Sequence, residues 1–485
     1  MPVSHYLSNS FTVLSVINLI LAIAVIFIER RNVGTTWAWL MVFLFLPGVG
    51  FIFYLLFGQN ISKRKIYKIR KDQHEQIEQI VRMQQERFRG GNFVFREPEA
   101  LSYQDMIYMN LTSANALYSQ DNDITVYTDG DEKFDALIES IAQAEHHVHL
   151  MYYIVRDDNL GRRLVQALTE KARENVQVRF MYDDIGSAGL KTTLFEELVQ
   201  AGGKVAAFFP SRIPYINFRL NYRNHRKLAI IDGKIGYIGG FNVGDEYLGL
   251  DKRFGYWRDT HLKMEGSSVF QMQAQFILDW ELASTERLRD VSIYFPDNLQ
   301  FNGCEGAQIV ASGPNTEQEQ IRNAYIKMIN AAKHTLYLQT PYFVPDDSVM
   351  NALKMATLSG VDVRIMIPAV PDHKTVYMAS YSYLGELLAL GAKCYLYQKG
   401  FLHAKTMVAD GKVATVGTAN MDIRSFKLNF EVNAFIYGGK TPAQLQEIFQ
   451  EDLRDASRLS FKEYQARSRM QKIGESLTRL ISPIL

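Results

Sequence analysis

Cysteine and net charge are what this sequence has least of. Its 485 residues include 2 cysteines, Cys304 and Cys394, and 53 Lys+Arg stand against 52 Asp+Glu, for a formal charge of +1. Two thiols exclude a disulfide scaffold and a thiolate metal cluster, and we expect both thiols to be buried and reduced. A near-zero net charge argues against a general binder of nucleic acids. With 47% hydrophobic residues, the chain is too apolar to be disordered.

Long uncharged runs occur only in the first sixty residues. Residues 11–28 and 37–57 carry no charged side chain. A membrane-spanning helix needs ~20 apolar residues, so both runs qualify, the first at the short end. Trp37, Trp39 and Tyr54 stand near the ends of the second run, as residues at a membrane interface do. The sequence therefore predicts a two-helix transmembrane hairpin over residues 1–60, and not a cleaved signal peptide.

Basic residues predict the orientation of this hairpin. The loop between the two runs has Arg30 and Arg31, whereas six basic residues follow the second run: Lys63, Arg64, Lys65, Lys68, Arg70 and Lys71. Because positive flanks stay inside, we expect a multi-pass protein of the cell membrane with everything after residue 60 in the cytoplasm. Residues 61–105 are expected to form a basic linker that lies against anionic lipid headgroups.

The rest of the chain consists of two similar copies. Residues 144–155 resemble residues 332–344, and residues 176–181 resemble residues 361–366. The separation is the size of a domain, far above the ~20–50 residues of a solenoid repeat. Within each copy, helical periodicity alternates with buried strands, which indicates an α/β fold. We expect two tandem domains, 106–300 and 301–485, packed about a pseudo-twofold axis with one site at their seam.

Each copy contains the pattern H-x-K-x4-D, followed by an asparagine. The residues are His225, Lys227, Asp232 and Asn242 in the first copy, and His403, Lys405, Asp410 and Asn420 in the second. A histidine and a lysine two apart on a strand share a face, an Asp-Gly pair closes a hairpin, and the returning strand brings the asparagine to the same end. Two copies together thus supply two imidazoles, two ammonium groups and two amides.

This set of groups suits phosphodiester chemistry. One imidazole can attack phosphorus while the other protonates the leaving alkoxide. The ammonium and amide groups can hold the non-bridging oxygens, which is the task that other enzymes give to a divalent metal. We therefore expect no metal and no other cofactor.

Two further carboxylates are candidates for orienting the histidines. Asp259 and Glu431 each stand seven residues before a matching glycine, Gly266 and Gly438, so the copies align there too. A histidine nucleophile needs its second nitrogen held, normally by a carboxylate, and we predict this role for both residues. The alternative is an ordinary solvent-facing carboxylate on a strand. Asp232 and Asp410, although part of the motif, begin Asp-Gly turns and are expected to fix geometry more than to move protons.

The paired motifs resemble those of the phospholipase D superfamily, and the N-terminal pattern W-x-W-x6-P-G-x-G resembles bacterial cardiolipin synthases. The resemblance implies reversible transfer of a phosphatidyl group between two phosphatidylglycerol molecules, giving cardiolipin and glycerol through a phosphohistidine intermediate without a metal. It makes His225 the nucleophile and His403 the acid/base, an assignment that the near symmetry leaves reversible. Its motifs supply the catalytic set His225, Lys227, Asp232, His403, Lys405 and Asp410, with Asn242 and Asn420 on the substrate.

Phosphatidylglycerol and an anionic membrane are the expected partners, and the oligomeric state stays open. A hydrolase of the same superfamily, acting on phospholipid or nucleic acid, needs the same residues for its first step. Two N-terminal spans favour lipid over nucleic acid. A catalytically inactive scaffold is the other alternative, and the presence of His and Lys in both copies counts against it.

Two segments are ambiguous. Arg212, Arg219 and Arg223 alternate with aromatic residues, either as a lipid-facing rim that guides anionic headgroups toward His225 or as an ordinary loop. Near the C-terminus an apolar stripe is expected to dock on the protein core, with interfacial membrane contact as the alternative. The stripe comprises Met470, Ile473, Leu477, Leu480 and Ile481.

Overall fold

A computed structural model describes residues 16, 18–23, 33–47, 49–50, 54, 71–210, 222–297, 299–316 and 318–481. The chain divides into two compact units, Met1–Lys68 with Ser211–Asn221, and Ile69–Pro210 with Tyr222–Leu485. The first unit contains helix α1 (Val33–Phe45), and the ring of Trp39 meets that of Tyr54 edge-on at 5.3 Å. Among the described residues, no helix is both long enough and apolar enough to cross a bilayer. The two predicted spans fall largely outside these residues.

The second unit is built from helices and strands in alternation. Its helices are α2 (Lys71–Arg89), α3 (Gln104–Ala114), α4 (Gly130–Ala142), α5 (Asn159–Arg173), α6 (Glu196–Gln200), α7 (Ser268–Ala283), α8 (Gln320–Ala331), α9 (Asp347–Leu358), α10 (Lys374–Leu390), α11 (Ile423–Lys427), α12 (Lys440–Asp452), α13 (Phe461–Gln465) and α14 (Arg469–Ile481). The strands of the first half are β1 (Ser119–Tyr127), β2 (His147–Tyr152), β3 (Gln177–Asp183), β4 (Lys204–Phe208), β5 (Leu228–Ile231), β6 (Ile235–Gly239), β7 (Tyr256–Arg258) and β8 (His261–Glu265). Those of the second half are β9 (Glu305–Ser312), β10 (Thr335–Gln339), β11 (Phe343–Val344), β12 (Asp362–Pro368), β13 (Lys393–Tyr397), β14 (Gly400–Leu402), β15 (Thr406–Ala409), β16 (Val413–Gly417), β17 (Met421–Asp422), β18 (Glu431–Tyr437) and β19 (Ala456–Leu459).

One 15-stranded sheet runs through both copies. Its order is β19-β13-β12-β10-β15-β16-β18-β9-β1-β8-β6-β5-β2-β3-β4, and antiparallel pairing of β1 with β9 joins the halves. Outward from this junction, the first half reads β1-β8-β6-β5-β2-β3-β4 and the second β9-β18-β16-β15-β10-β12-β13, which is the same order of equivalent strands. The predicted α/β fold with two similar copies is confirmed, and β19 is an addition at one edge.

The two Asp-Gly pairs make the hairpin turns that the sequence predicts. Asp232 and Gly233 have φ of 53° and 65°, and Asp410 and Gly411 have 55° and 61°. Left-handed conformation at both central residues is what a two-residue hairpin of matching twist requires. The Asp232 carboxylate accepts the backbone N–H groups of residues 145–147, and the Asp410 carboxylate those of residues 333–335. Each aspartate thus fastens its hairpin to the start of the neighbouring antiparallel strand, β2 in the first copy and β10 in the second.

The two copies exchange short strands just before their histidines. β7 of the first half pairs in parallel with β14 of the second, and the His403 N–H donates to the Arg258 carbonyl at 2.7 Å. In the reciprocal contact, Asn224 bridges Phe430, and the His225 N–H donates to the Phe430 carbonyl at 2.9 Å. Each histidine is therefore held in place by the backbone of the other copy.

The segment expected to be a linker contributes to the core. Val81 and Phe88 of α2 are buried in the same apolar cluster as Met106 and Leu336, and the Phe88 ring stacks on that of Phe93 at 4.1 Å. The helix has the charged and glutamine-rich sequence of a linker, but Val81 and Phe88, seven residues apart on one face, are buried against the core.

The cysteine prediction is correct for one thiol only. Both cysteines are free, and Cys394 on β13 is buried, whereas Cys304 is exposed. Cys304 directly precedes β9 in an irregular stretch, where the backbone does not carry its side chain into the core.

The prediction for the C-terminal stripe is wrong in the part that the structure describes. On α14, the exposed fractions of Met470, Ile473 and Leu477 are 77%, 55% and 60%. The same helix buries Glu475, which forms an ion pair with Arg467 at 2.9 Å. The helix thus packs through its polar side, because a buried ion pair satisfies that side, and presents its apolar side outward.

Candidate active site

Each motif histidine is bonded to a carboxylate from the other copy. His225 Nδ1 lies 2.9 and 3.0 Å from the two carboxylate oxygens of Glu431, and His403 Nδ1 lies 2.6 Å from Asp259 Oδ2. Both carboxylates are fully buried. The Nδ1–H of each imidazole therefore donates to a carboxylate, which leaves Nε2 as the unprotonated nitrogen. The two candidate carboxylates named from the sequence do meet the histidines, and the pairing is crossed.

Glu431 is held by two further donors. The Thr418 hydroxyl donates to its Oε2 at 2.6 Å and Asn429 Nδ2 donates to its Oε1 at 3.1 Å. The same hydroxyl accepts the Val432 N–H at 2.9 Å. Thr418 is thus committed to positioning the carboxylate that orients His225, and its hydroxyl is not directed at a substrate.

Asp259 occupies the space that a side chain at residue 240 would need. A Cβ placed on Gly240 would lie 1.9 Å from Asp259 Oδ1, and that oxygen accepts the Thr260 N–H at 2.7 Å. Glycine at 240 and threonine at 418 stand at equivalent positions of the two motifs. The sequence difference between the copies therefore reflects two different ways of supporting a carboxylate.

Each motif lysine lies beside the histidine of its own motif. Lys227 Nζ donates to the His225 carbonyl at 2.6 Å, and Lys405 Nζ donates to the His403 carbonyl and lies 2.8 Å from His403 Nδ1. Burial lowers the pKa of Lys227 to about 7 and that of Lys405 to about 8. Lys405 also lowers the pKa of His225, and Lys227 that of His403, so the charges of the two motifs act on a common centre.

At neutral pH the two imidazoles are uncharged and the two carboxylates ionised. Burial lowers the pKa of His225 and of His403 to about 4, against the opposing pull of their carboxylates. Burial disfavours ionisation of Asp259 and Glu431, but the nearby imidazoles and lysines together hold both pKa values below their usual range. A neutral imidazole with a carboxylate on Nδ1 is the form in which Nε2 can act as a nucleophile.

Aromatic rings cover the two histidines, and the sequence reasoning missed them. The Tyr153 ring meets His225 edge-on at 4.8 Å, and the Trp257 ring lies 5.1 Å from His403. Tyr153 belongs to the repeated segment 144–155, and Tyr342 is its counterpart in 332–344. A tyrosine repeated at matching positions was the indication that could have found it.

The two motif asparagines have different surroundings. Asn242 accepts the Ile154 N–H at 3.1 Å and donates to the Tyr247 hydroxyl at 3.1 Å, so both of its polar atoms serve the fold. Asn420 Oδ1 is buried with no hydrogen-bond partner among the described residues. Of the two asparagines, Asn420 is therefore the one whose carbonyl oxygen is left without a hydrogen bond within the described structure.

Asp232 and Asp410 are not brought to the histidines. Each lies at the far end of its hairpin, seven residues on from the histidine, which at ~3.3 Å per residue is more than about 20 Å away. Their carboxylates are saturated by backbone N–H groups, as described above. Although both belong to the motif, their role here is to hold the hairpins.

The centre can therefore carry out displacement at phosphorus in two steps. It offers two imidazoles, each with Nδ1 bound to a buried carboxylate, and an ammonium group beside each of them. Among the described residues, no cluster of three or more His, Cys, Asp or Glu side chains is arranged to hold a metal ion.

Comparison with known proteins gives consistent results for the whole chain. The family model described as "Cardiolipin synthase, PLD-like domain" matches residues 137–255 and 325–453, and the model "Phospholipase_D-nuclease N-terminal" matches residues 16–59. A cardiolipin synthase of Listeria innocua is 50% identical over 99% of both chains, and the major cardiolipin synthase ClsA of Bacillus subtilis is 49% identical over 100% of both. The crystal structure of a phosphatidylserine synthase from Haemophilus influenzae superposes with a TM-score of 0.60 at 14% identity, covering 78% of this chain and 100% of that one.

The doubled α/β fold and its paired His-Lys motifs define a member of the phospholipase D superfamily. Within that superfamily, the chain belongs to the bacterial cardiolipin synthases. The resemblance noted in the sequence is confirmed.

Proposed function

We propose that this chain joins two phosphatidylglycerol molecules into cardiolipin and glycerol by reversible transfer of a phosphatidyl group. Full-length relatives at about half identity carry the name cardiolipin synthase. The observation on which the mechanism rests is the crossed pair of histidine–carboxylate bonds with a buried lysine beside each histidine.

In the first half-reaction, His225 Nε2 attacks the phosphorus of the donor phosphatidylglycerol. A P–N bond forms, the bond from phosphorus to the glycerol oxygen breaks, and His403 gives a proton to the departing alkoxide. Glu431 stabilises the positive charge that develops on the His225 ring, and Lys227 and Lys405 neutralise the charge on the non-bridging oxygens. An entering phosphate also raises the pKa of His403, because its negative charge favours the imidazolium form.

In the second half-reaction, the primary hydroxyl of a second phosphatidylglycerol takes the place of glycerol. His403 removes its proton, the oxygen attacks phosphorus, and the P–N bond to His225 breaks. The reverse sequence, with glycerol as acceptor, regenerates phosphatidylglycerol, so the same groups act in both directions. Water as the acceptor would give phosphatidic acid.

The membrane arrangement is part of the proposal. Residues 1–60 form a two-helix hairpin in the cell membrane and both catalytic halves lie in the cytoplasm. The uncharged runs, the basic residues after residue 62 and the N-terminal family match over residues 16–59 support this. The outward apolar side of α14, flanked by Arg469 and Lys472, supports additional contact with anionic lipid.

The test of the mechanism is a labelling experiment on the full chain in detergent–lipid micelles. Phosphatidylglycerol labelled in its phosphate is mixed with enzyme, quenched and resolved into protein-bound label, cardiolipin and phosphatidic acid. H403A is expected to retain acid-labile label on the protein, because its intermediate forms slowly and breaks down more slowly still. H225A is expected to bind no label and to make no cardiolipin while remaining folded by circular dichroism. Label bound to folded H225A would show that His403 is the nucleophile. Phosphatidic acid as the main product of the wild type would favour the hydrolase.

A further inference from the structure

Two arginines outside the H-x-K-x4-D motifs stand beside His225. Arg223 precedes His225 by two residues in the extended segment whose Asn224 bridges Phe430, so the Arg223 and His225 side chains leave the backbone on the same side. The Arg223 carbonyl accepts the Phe430 N–H at 2.8 Å, and the Arg424 carbonyl accepts the N–H groups of residues 428 and 429 at 2.9 and 3.1 Å. The short segment 428–430 thus fixes both arginine backbones next to the histidine.

Neither guanidinium has a hydrogen bond or an ion pair within the described part of the chain. Arg223 Nη1 is buried with no partner there. The pKa of Arg424 is lowered first by burial and then by the charge of Arg223, so the two cations repel each other. Both act on Tyr153, whose ring contacts His225. Both arginines are partly buried, and a partly buried guanidinium without a partner is costly, so the two together form a site that an anion would complete.

The nearest carboxylates are committed elsewhere. Asp183 accepts the backbone N–H groups of residues 185, 186 and 224, at 3.1, 2.8 and 2.7 Å. Asp422 caps α11 by accepting the Ser425 N–H at 2.6 Å. Both act on the arginines through space only, without a hydrogen bond to them in the described structure.

One arginine comes from each copy, and neither has an arginine at the equivalent position of the other copy, which makes the centre asymmetric. Phe401 stands two residues before His403 where Arg223 stands before His225, and Glu246 follows Asn242 by four residues where Arg424 follows Asn420. The Phe401 and Trp257 rings surround His403. Of the two motif histidines, His225 therefore has the arginine pair in its surroundings, whereas His403 has aromatic rings.

We propose that Arg223 and Arg424 bind the phosphodiester of the acceptor phosphatidylglycerol and so place its primary hydroxyl against the phosphatidyl group on His225. The inference rests on the proposed function and extends it to the choice of acceptor. Cardiolipin holds two phosphates on one glycerol, so the second half-reaction needs a second anion site one glycerol away from the reacting phosphorus. The pair favours an anionic glycerophospholipid over water or a neutral alcohol.

Two reactions with the same donor test the proposal. Cardiolipin formation uses the anionic acceptor, whereas incorporation of labelled glycerol into phosphatidylglycerol uses a neutral one, and both share the His225 step. For R223Q and R424Q we expect the ratio of cardiolipin formation to glycerol exchange to fall about tenfold or more, since each loses a charge-assisted hydrogen bond to the acceptor. R424K should recover part of the ratio. R173Q serves as the matched control and should keep the wild-type ratio. Arg173 is an exposed arginine at the end of α5 that pairs with Glu197.

Equal losses in the two reactions would overturn the proposal, because the arginines would then serve the donor or the fold. An unchanged ratio would overturn it as well. Inorganic phosphate offers the same anion without a lipid. If added phosphate changes the glycerol-exchange rate of the wild type but not that of R223Q/R424Q, the site binds free phosphate. That result would overturn the lipid assignment. A wild-type enzyme that makes no cardiolipin would instead contradict the proposed function itself.

Discussion

Lys227 and Lys405 carry the positive charge on which phosphate binding depends, and both are buried. Because burial lowers their pKa values to about 7 and about 8, each loses its proton as the pH rises through that range, and the centre loses positive charge. Without substrate the histidines, with pKa values of about 4, stay neutral over this range, and His403 takes up its proton only when the negative phosphate is bound. We therefore expect kcat/KM for phosphatidylglycerol to be highest below the pKa of Lys227 and to fall as the pH rises through 7 and 8. A pH–rate profile with short incubations measures this, and a flat profile up to pH 10 would contradict it.

Thr418 affects catalysis through Glu431. Replacing it in T418V removes the hydroxyl that donates to Glu431 Oε2 at 2.6 Å, so the carboxylate holds His225 less firmly. We expect kcat to fall about tenfold, the value of a hydrogen bond to a charged group, with KM little changed. T418S should restore most of the activity.

The matched control for this change is T415V, which alters a buried threonine on β16, three residues before Thr418. The Thr415 hydroxyl accepts from Asn433 Nδ2 at 3.1 Å and makes no contact with Glu431. A loss in T415V as large as in T418V would mean that the effect comes from packing. A rise in KM without a fall in kcat would place the Thr418 hydroxyl on the substrate.

The sequence predicted the residues of the motif, but it did not predict which carboxylate binds which histidine. Repetition of the same residues at the same spacing was enough to single out both histidines, both lysines and both orienting carboxylates. The spacing does not show whether each carboxylate binds the histidine of its own copy or that of the other copy. This depends on how the two halves pack together. Arg424 was missed for a related reason: it has no counterpart in the first copy, where Glu246 stands, so the comparison of copies passed over it.

Helix α14 packs on the protein through its polar side and exposes its apolar side, so contact of that apolar side with a membrane can be tested. The full chain with C304S and a single new cysteine is labelled with an environment-sensitive fluorophore and reconstituted into liposomes with anionic lipid. We expect the emission of I473C to shift to shorter wavelength, because the outward side of α14 enters the interface. The control is M355C on α9, an exposed apolar position, 55% exposed, outside this stripe. Equal shifts at both positions, or none at 473, would contradict membrane contact by α14.

Elements were predicted more reliably than their environments. Periodicity identified α14 as a helix with an apolar stripe, and it identified α2 as helical. Periodicity does not state which side meets the protein, since a buried ion pair such as Arg467–Glu475 can satisfy a polar side as well as apolar contacts satisfy the other. For α2, two buried side chains among many polar ones were too few to indicate docking from the sequence.

Because one sheet runs through both halves, we expect them to unfold as one cooperative body. In L336A, a fully buried side chain of the second half is removed, at a cost of about 2–5 kcal/mol. In a W37F/W39F background the remaining tryptophans, Trp257 and Trp280, both belong to the first half, although the Trp257 ring also packs against Phe401 of the second. We expect denaturant midpoints from their fluorescence and from circular dichroism in detergent to shift together, because β1 and β9 join the halves.

The control for this shift is L358A, at a leucine that is 69% exposed, which should leave the midpoint nearly unchanged. Two separated transitions in L336A, with the tryptophans unaffected, would show that the halves unfold independently. At this scale the sequence predicted the doubled α/β architecture, since both copies carry the same alternation. It did not predict that the copies share one sheet, because the pairing of β1 with β9 produces no recognisable pattern in the sequence.

The crossed carboxylates also have a consequence during protein synthesis. Glu431 lies 206 residues after His225, so a ribosome completes the first motif long before the partner of its histidine exists. A nascent or prematurely terminated chain that ends before Glu431 lacks the carboxylate that holds Nδ1 of His225. If His225 is the nucleophile, as proposed, we expect phosphatidyl transfer only from chains in which translation has passed the second motif.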